Sequence, residues 1–350
     1  MQKAFKWSIL LLVPALGIGT WASWNWWHNA IAPAQAIAPS ATKTVPLHIK
    51  SGTAAQQIGR QLETAGLIRS SQAWNMWARW LQWQNPQGGF KAGNYQLSPN
   101  QPMPDIAQKI WQGEVTQLTY TIPEGWSLRQ MAEYFEKQGF FSAQDFLTAA
   151  SQIPRSEYSW LPANLPHLEG FLYPDTYKLN GDSVTPKVII RQMLNQFQQV
   201  ALPVYEASKG QTNLNLLEWV TLGSIVEKEA VIPDERSRIA GVFTARLRKG
   251  MLLQTDPTVE YALNIRQTVD RPLTFAQIKV ASPYNTYVNP GLPPTPIASP
   301  GIASLKATLA PEDTSYLYFV ARYDGTHVFS RTLSEHTAAQ VAIRKQQSAN

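Results

Sequence analysis

The stretch from Asn215 to Ala230 restricts the fold most, because it has a helix pattern without a polar face. It opens with N-L-L-E, in which Asn215 and Glu218 form the pattern of a capping box. Its apolar residues point to all sides of the helix: Leu216, Leu217, Trp219, Val220, Leu222, Ile225 and Val226. Such a helix must be buried, so the chain needs a core large enough to surround it.

Two carboxylates, Glu227 and Glu229, stand where this helix leaves its apolar surroundings. A glutamate that is partly desolvated at such a place has a raised pKa and can act as a general acid. Alternatively, both carboxylates are solvated at the end of an ordinary core helix, and the local pattern leaves both interpretations open. Residues two apart on a helix point to different sides, so these two cannot act as a facing pair.

Composition excludes several kinds of site. The chain of 350 residues has no cysteine, which excludes disulfides, thiolate nucleophiles and iron–sulfur clusters. Its five histidines are scattered without metal-ligand spacing, so we expect no metal and no cofactor. The net charge of +6 is modest, and the absence of a basic and aromatic cluster argues against a nucleic-acid partner.

The N-terminus has the pattern of a membrane anchor. Lys3 and Lys6 precede an uncharged stretch, so we predict a cytoplasmic segment at residues 1–6 and a single transmembrane helix at 7–27. Tryptophans at the far end of this helix would form an aromatic belt. A signal peptide cleaved at residues 34–36 is the alternative, but that site lies far beyond the apolar core. Residues 28–46, rich in Ala and Pro, predict a flexible linker that holds the folded part off the membrane.

A weak internal repeat follows the linker. In each copy we predict a strand, a turn, a helix capped by Thr53–Gln56 or Ser127–Gln130, and a terminating glycine. The repeated residues are Gly52, Ile58, Leu62 and Gly66 in the first copy and Gly125, Met131, Phe135 and Gly139 in the second.

The second copy, YTIPEGWSL at residues 120–128, resembles the opening of a LysM module, a βααβ unit that binds N-acetylglucosamine-containing glycans. Trp126 stands where that family usually has Asp, and a small α+β packing unit without glycan binding is the alternative. We place this LysM-like domain at residues 47–150.

The remaining residues, 151–350, predict a larger mixed α+β domain. Helix signals cover residues 186–199, 215–230 and 233–249, and the last helix ends with basic residues and Gly250. Near the C-terminus, residues 316–321 and 327–330 flank Asp324-Gly325 and predict a β-hairpin.

Four segments of this domain differ from ordinary core. They are LEGFLYPDTY (168–177), SIVEKEA (224–230), GMLLQTDPTVEYAL (250–263) and the Pro-rich SPYNTYVNPGLPPTPIASPG (282–301). The first three place carboxylates beside apolar or aromatic residues, and a long ordered loop such as the fourth is often a binding element. Asp256 has an alternative role, because Asp before Pro257 suits a helix N-cap.

Together these segments resemble the endolytic murein transglycosylase family (MltG, YceG-like). The resemblance covers essentially the whole chain, with EGFLYPDTY, SIVEKEA, RLRKGMLLQTDPTVEY, YNTY, GLPPTPIASPG and YLYFVA in the family's order. It implies a single-pass enzyme of the bacterial inner membrane, with an extracytoplasmic catalytic domain that cleaves nascent peptidoglycan strands. Penicillin-binding synthases are candidate partners, since the family acts where strands are made.

The resemblance also implies the catalytic residue. The family's glutamate is the second of the E-K-E pair, which is Glu229 here, and Glu227 lacks that role. Protonated Glu229 would cleave the bond between N-acetylmuramic acid and N-acetylglucosamine and leave a 1,6-anhydro end, terminating the strand. The candidate substrate-binding residues, each of which could instead hold a loop in place, are Glu169, Gln254, Asp256, Tyr284, Asn285 and Thr286.

Two other functions compete with this one. A non-enzymatic peptidoglycan-binding tether would use the anchor and the LysM-like part alone, and it would not need Glu229. A hydrolase would need a second carboxylate to activate water, for which Glu169 is the candidate.

Overall fold

The protein has a mixed α+β fold, as predicted. A computed structural model describes residues 20–35, 44–115, 118–179, 184–268, 271–322 and 324–348. Contacts divide the chain into unit 1, Met1–Tyr120 with Lys178–Ser183, and unit 2, Thr121–Tyr177 with Val184–Asn350. The predicted domain limits, 47–150 and 151–350, do not coincide with these units, because residues 121–150 make their contacts with later parts of the chain.

Unit 1 is a βααβ arrangement with a helix on either side of it in sequence. Its elements are helical residues 20–31 (α1), β1 (Val45–Ile49), α2 (Ala55–Thr64), α3 (Ser71–Gln84), β2 (Gly93–Leu97) and α4 (Met103–Gln112). The strands pair antiparallel, with Val45 opposite Leu97 and Ile49 opposite Gly93. Buried residues of all six elements form one apolar core.

The N-terminal predictions are tested only in part. Most of the predicted membrane span lies outside the described residues, since these begin at residue 20. In the part of the chain that the structure describes, no helix combines the length and the apolar character that crossing a bilayer requires. The predicted linker at 28–46 is wrong at both ends. Residues 28–31 are helical with Ala30 buried in the core, and β1 begins at Val45.

The internal repeat is confirmed. The second copy has the same order of elements: β3 (Leu118–Thr121), α5 (Leu128–Lys137), α6 (Ala143–Ala150) and β4 (Thr176–Leu179), with β3 paired to β4. The four repeated apolar residues are fully buried, and the four repeated glycines have left-handed backbone, with φ between 69° and 78°.

The predicted helix caps differ between the two copies. Ser127 and Gln130 form the predicted capping box of α5. The predicted cap at Thr53 is wrong, because the Thr53 hydroxyl donates to the Lys50 carbonyl and Ala54 takes the cap position.

Unit 2 surrounds the apolar helix. Its later elements are α7 (Pro186–Val200), α8 (Leu202–Ala207), α9 (Leu216–Glu229), α10 (Arg236–Arg248), α11 (Asp256–Leu263), α12 (Ile302–Leu309), β5 (Tyr318–Ala321), β6 (His327–Ser330) and α13 (Leu333–Ser348). The three predicted helices and the hairpin are confirmed, with a 3₁₀ turn at Pro233–Glu235 before α10. Helix α9 begins with the predicted capping box and packs most extensively on α12.

We expect Gly170→Ala to destabilise the protein by about 2–4 kcal/mol, because it combines left-handed backbone with overpacking. Gly170 has a φ of 80°, and an added Cβ would lie 2.4 Å from Cβ of Pro296 and 3.0 Å from Cγ1 of Val220. Urea unfolding measures the change. Gly139→Ala is the control, since Gly139 has a φ of 74° with no atom within 4 Å of an added Cβ. Equal losses for both variants would contradict the role of the contact.

Candidate active site

Helix α9 carries Glu229 as its last residue, and packing fixes this end of the helix. Residues 219–226 are buried, and the chain turns to extended backbone at Ala230. The Ser224 hydroxyl accepts a hydrogen bond from the Ile297 amide at 3.1 Å. The last turn is therefore where the helix leaves the core, and Glu229 is partly exposed there.

The surroundings of the Glu229 carboxyl group bring its pKa close to neutral pH. Its pKa is raised to about 7, mainly by burial and to a smaller extent by the charges of Asp256 and Glu260. The Thr255 hydroxyl donates to its Oε1 and, with Lys228, acts in the opposite direction. The carbonyl end of a helix dipole also disfavours an anion at this position. A carboxylic acid with this pKa is partly protonated at pH 7, as a general acid requires.

Glu227 contacts a different part of the chain from Glu229, the beginning of α12. Its Oε2 accepts a hydrogen bond from the Gly301 amide at 3.1 Å, at the beginning of α12. A carboxylate at a helix N-terminus stabilises that helix. The two carboxylates thus meet different parts of the chain, as their spacing predicted.

The segment that brings Thr255 to Glu229 is held by Thr286. The Thr286 carbonyl accepts from the Gln254 amide at 3.1 Å, and its hydroxyl accepts from the Thr255 amide at 3.1 Å. The Thr258 hydroxyl lies 2.9 Å from the same hydroxyl. Gln254 is exposed and has left-handed backbone, with a φ of 50°. Strained non-glycine backbone of this kind clusters at functional sites.

Asp256 is the first residue of α11, and its side chain does not cap the helix. Thr255 takes the N-cap position, so the alternative role of Asp256 as N-cap is wrong. The Asp256 carboxylate instead accepts hydrogen bonds from the Tyr287 hydroxyl and from Nε2 of Gln267, the latter at 3.1 Å. Burial raises the pKa of Tyr287, which keeps this tyrosine a donor.

Glu169 and Tyr284 belong to a second cluster, built around Tyr261 of α11. The Tyr261 hydroxyl donates to Glu169 at 3.1 Å, and the rings of Tyr261 and Tyr284 lie 4.8 Å apart. Glu169 is only 2% exposed, and both its oxygens accept from the Leu128 amide, at 3.0 and 3.1 Å. Burial raises its pKa to about 8, although these hydrogen bonds favour the ionised form.

Asn285 lies inside the protein and holds its loop. Its amide nitrogen donates to the carbonyls of Ile278 and Val280, at 3.0 and 2.8 Å. Its carbonyl oxygen accepts from the Tyr287 amide at 2.9 Å. Asn285 and Thr286 are both fully buried, so in this structure they hold loops, which is the second role that the sequence allowed.

Sequence reasoning did not single out the residues that shape the site around Glu229. These residues are Thr255, Tyr261, Tyr287 and Arg246. In the sequence, Arg246 fits the pattern of basic residues in the last turn of a helix. In the structure its guanidinium is buried and donates to the Leu253 carbonyl at 3.0 Å. Thr255 and Tyr287 could have been found from the sequence only because they lie inside the motifs that carry the family resemblance.

Two carboxyl groups of the candidate site have a raised pKa, and of these Glu169 is buried while Glu229 is partly exposed. Among the described residues, no group of three or more His, Asp or Glu side chains is arranged to hold a metal ion. A carboxyl group with a raised pKa at the partly exposed end of a buried helix has the properties that acid–base chemistry with one glutamate requires.

The chain belongs to the YceG-like family, whose sequence model matches residues 47–342. It is 34% identical over 311 residues to an endolytic murein transglycosylase of Bacillus subtilis (strain 168), covering 85% of this chain and 84% of the relative. It is 31% identical over 346 residues to the endolytic murein transglycosylase of Streptococcus pneumoniae serotype 2 (strain D39). That alignment covers 91% of this chain and 61% of the pneumococcal protein.

A solved structure agrees with these matches. The crystal structure of a YceG-like protein from Listeria monocytogenes superposes with a TM-score of 0.59 at 34% identity. The superposition includes the whole of the Listeria chain and 85% of this chain. The family resemblance inferred from the motifs is therefore confirmed.

Proposed function

We propose that this protein is a lytic murein transglycosylase that cuts peptidoglycan strands internally, with Glu229 as its acid and base. The observation that carries the proposal is the carboxyl group of Glu229, partly buried on α9 with a pKa of about 7. The names of the relatives in Bacillus subtilis and Streptococcus pneumoniae support the substrate class.

The mechanism needs one carboxyl group in two protonation states. Protonated Glu229 donates its proton to the oxygen that links C1 of N-acetylmuramic acid to N-acetylglucosamine, and the C1–O bond breaks. The Glu229 carboxylate then takes the proton of the C6 hydroxyl of the same muramic sugar, while O6 bonds to C1. The products are a 1,6-anhydro end and a free N-acetylglucosamine end, and Glu229 is protonated again. The intramolecular attack is favoured by proximity, and no water is consumed.

The surroundings of the other carboxylates favour this lyase over a hydrolase. An inverting or retaining hydrolase needs a second carboxylate free to activate water or attack C1. Glu169 is buried and accepts hydrogen bonds from Leu128 and Tyr261, and Asp256 accepts from Tyr287 and Gln267. Both are thus engaged with the protein.

The substrate-groove candidates divide into two roles. Gln254, exposed and next to Thr255, would contact the glycan directly, and an amide suits sugar hydroxyl and N-acetyl groups. Tyr284 would offer part of an aromatic face to a sugar ring. Glu169, Asp256, Asn285 and Thr286 would position the segments that carry these contacts.

The proposed setting is the outer face of the bacterial inner membrane. Residues 7–27 would span it once, with residues 1–6 in the cytoplasm, and cleavage would end strand elongation beside penicillin-binding synthases. The two βααβ copies are compatible with LysM-like glycan binding, which stays a prediction because Trp126 departs from that family's pattern.

We expect kcat/KM to fall about tenfold per pH unit above pH 7, because the proton donor is then ionised. The pKa of Glu229, raised by burial to about 7, sets the midpoint.

In Thr255→Val the midpoint should move to higher pH, since the lost hydrogen bond favours the ionised carboxylate. Measuring kcat/KM on soluble strands from pH 5 to 9 checks both the fall in rate of the natural protein and the higher midpoint of Thr255→Val. A midpoint near 4.5, or one that Thr255→Val leaves unchanged, would contradict the assignment.

The chemistry of the product ends tests the proposal. The full chain in detergent is incubated with uncrosslinked strands, and the products are analysed by mass spectrometry. We expect 1,6-anhydromuramyl ends. Reducing muramyl ends would indicate a hydrolase, and uncut strands that sediment with the protein would indicate the tether.

A further inference from the structure

Unit 1 exposes an aromatic surface that the proposed cleavage chemistry does not use. It consists of tryptophans on α1 and on α3, together with Met76, and we call it the tryptophan face. Its exposed members are Trp21 and Trp24 at 67%, Trp26 at 45%, Met76 at 53%, Trp80 at 41% and Trp83 at 79%. Large aromatic side chains in this number are normally buried, so their exposure indicates a binding surface.

Ring contacts join the two helices that carry this face. Trp27 of α1 packs against the core of unit 1, and its ring lies 6.3 Å from that of Trp77 on α3. The Trp77 ring in turn lies 4.6 Å from that of Trp80. Met76, Trp80 and Trp83 follow helical spacing along one side of α3, so they face outward together.

The chain after α1 is also bound to unit 1. The Arg69 guanidinium donates to the Pro33 carbonyl at 2.7 Å, and the Gln35 amide donates to the Pro99 carbonyl at 3.0 Å. The orientation of α1 on unit 1 is thus set by contacts before and after residue 31. Whatever surrounds α1 near Trp27 therefore lies close to α3.

We propose that the tryptophan face lies in the interface of the lipid bilayer, beside the point where α1 leaves the membrane. This inference rests on the proposed anchor at residues 7–27, whose last residues, 20–27, are the first residues of α1. Tryptophan is enriched at this interface because its ring is apolar while its N–H needs a polar partner.

The charges of this region also favour a lipid surface as the partner. Residues 20–31 contain no charged residue, and α3 contains no Asp or Glu. The single charged side chain of α3 is the exposed Arg79, which suits anionic headgroups. With α1 and α3 in the interface, unit 1 would rest on the bilayer rather than hang from a flexible linker.

Single cysteines test this placement, because the natural chain has none. The full chain with Trp83→Cys or Met76→Cys is labelled with the fluorophore NBD and reconstituted into vesicles of phosphatidylethanolamine and phosphatidylglycerol. Gln57→Cys is the control, on the exposed side of α2 in the same unit. We expect blue-shifted emission at residues 76 and 83, loss of that emission when the vesicles carry nitroxide lipids, and emission typical of water at residue 57.

Flotation of the vesicles separates failure of this inference from failure of the anchor. If the protein floats but the probe at residue 83 behaves like the control, the tryptophan face is not in the interface. A probe that is shielded from water but not quenched by nitroxide lipids would mean that a second copy or another protein covers the face, which also overturns the inference. Protein that fails to float would overturn the anchor and the inference together.

Discussion

Glu229→Gln is expected to lower kcat by about 10³-fold or more, since removing a general acid typically costs 10²–10⁴-fold. An amide in this position keeps the shape of the side chain but cannot supply the proton that the glycosidic oxygen needs. The Thr255 hydroxyl can still donate to the amide oxygen, so the local geometry is retained. Release of anhydro ends from uncrosslinked strands, followed by mass spectrometry, measures the effect.

Stability measurements distinguish this loss from misfolding. The folded pKa of Glu229, about 7, lies above the ordinary value of 4.5, so between these values the folded protein binds the proton more tightly. Stability therefore falls as the pH rises through this window, and the amide variant lacks this dependence. At pH 8 we expect Glu229→Gln to unfold at the same or a higher urea concentration than the natural protein.

Glu227→Gln is the matched control, two residues earlier on the same helix. Glu227 accepts a hydrogen bond from Gly301, and an amide oxygen can accept the same bond. We expect activity within a few fold of the natural protein. If Glu227→Gln were as inactive as Glu229→Gln, or if Glu229→Gln kept its activity, the assignment of the proton donor would be wrong.

Local signals were sufficient for the elements that carry the site. The capping box at Asn215 and the unbroken apolar run predicted α9, because these signals act within a few residues of the chain. The same holds for the repeated glycines, since each of them adopts the left-handed backbone that ends a turn or a helix. The acidic end of α9 could also be predicted as the candidate proton donor.

The environment of Glu229 could not be predicted, since it depends on contacts between distant parts of the sequence. Thr255 reaches Glu229 across the fold, and Thr286 holds Thr255 from a further loop. The limits of the predicted linker were misplaced for a similar reason. Ala- and Pro-rich sequence predicts a flexible tether, but Ala30 is small and apolar and fits into the core of unit 1.

Arg246 is the residue whose tertiary contacts differ most from the role that its sequence pattern predicts. Its side chain is 8% exposed, and the guanidinium donates to the carbonyls of Leu317, Leu252 and Leu253. The Tyr318 ring lies 4.9 Å from its Cζ. Burial lowers the pKa of Arg246, but a guanidinium remains charged in proteins. The planar fork of donors thus joins β5 to the segment that precedes Gln254 and Thr255.

Arg246→Met is expected to destabilise the protein by about 3–5 kcal/mol, since each buried carbonyl that loses its donor costs roughly 1–3 kcal/mol. Replacing a buried ion pair by apolar residues can be neutral, but here the three carbonyls stay behind without the donor. Loss of these contacts should also loosen Leu252 and Leu253, and with them the Thr255 hydroxyl that binds Glu229. We therefore expect the midpoint of the pH–rate profile to move upward, as in Thr255→Val. Urea unfolding and the rate profile measure the two effects.

The control for this change is Arg248→Met, in the last turn of the same helix. Arg248 is exposed, and substitutions at such positions usually change stability by less than about 0.5 kcal/mol. Arg246→Lys should recover only part of the stability, because one ammonium cannot reproduce a planar fork directed at three carbonyls. If Arg246→Met and Arg248→Met unfolded at the same urea concentration, Arg246 would not hold this segment. The position of Thr255 would then have to be set by Thr286 alone.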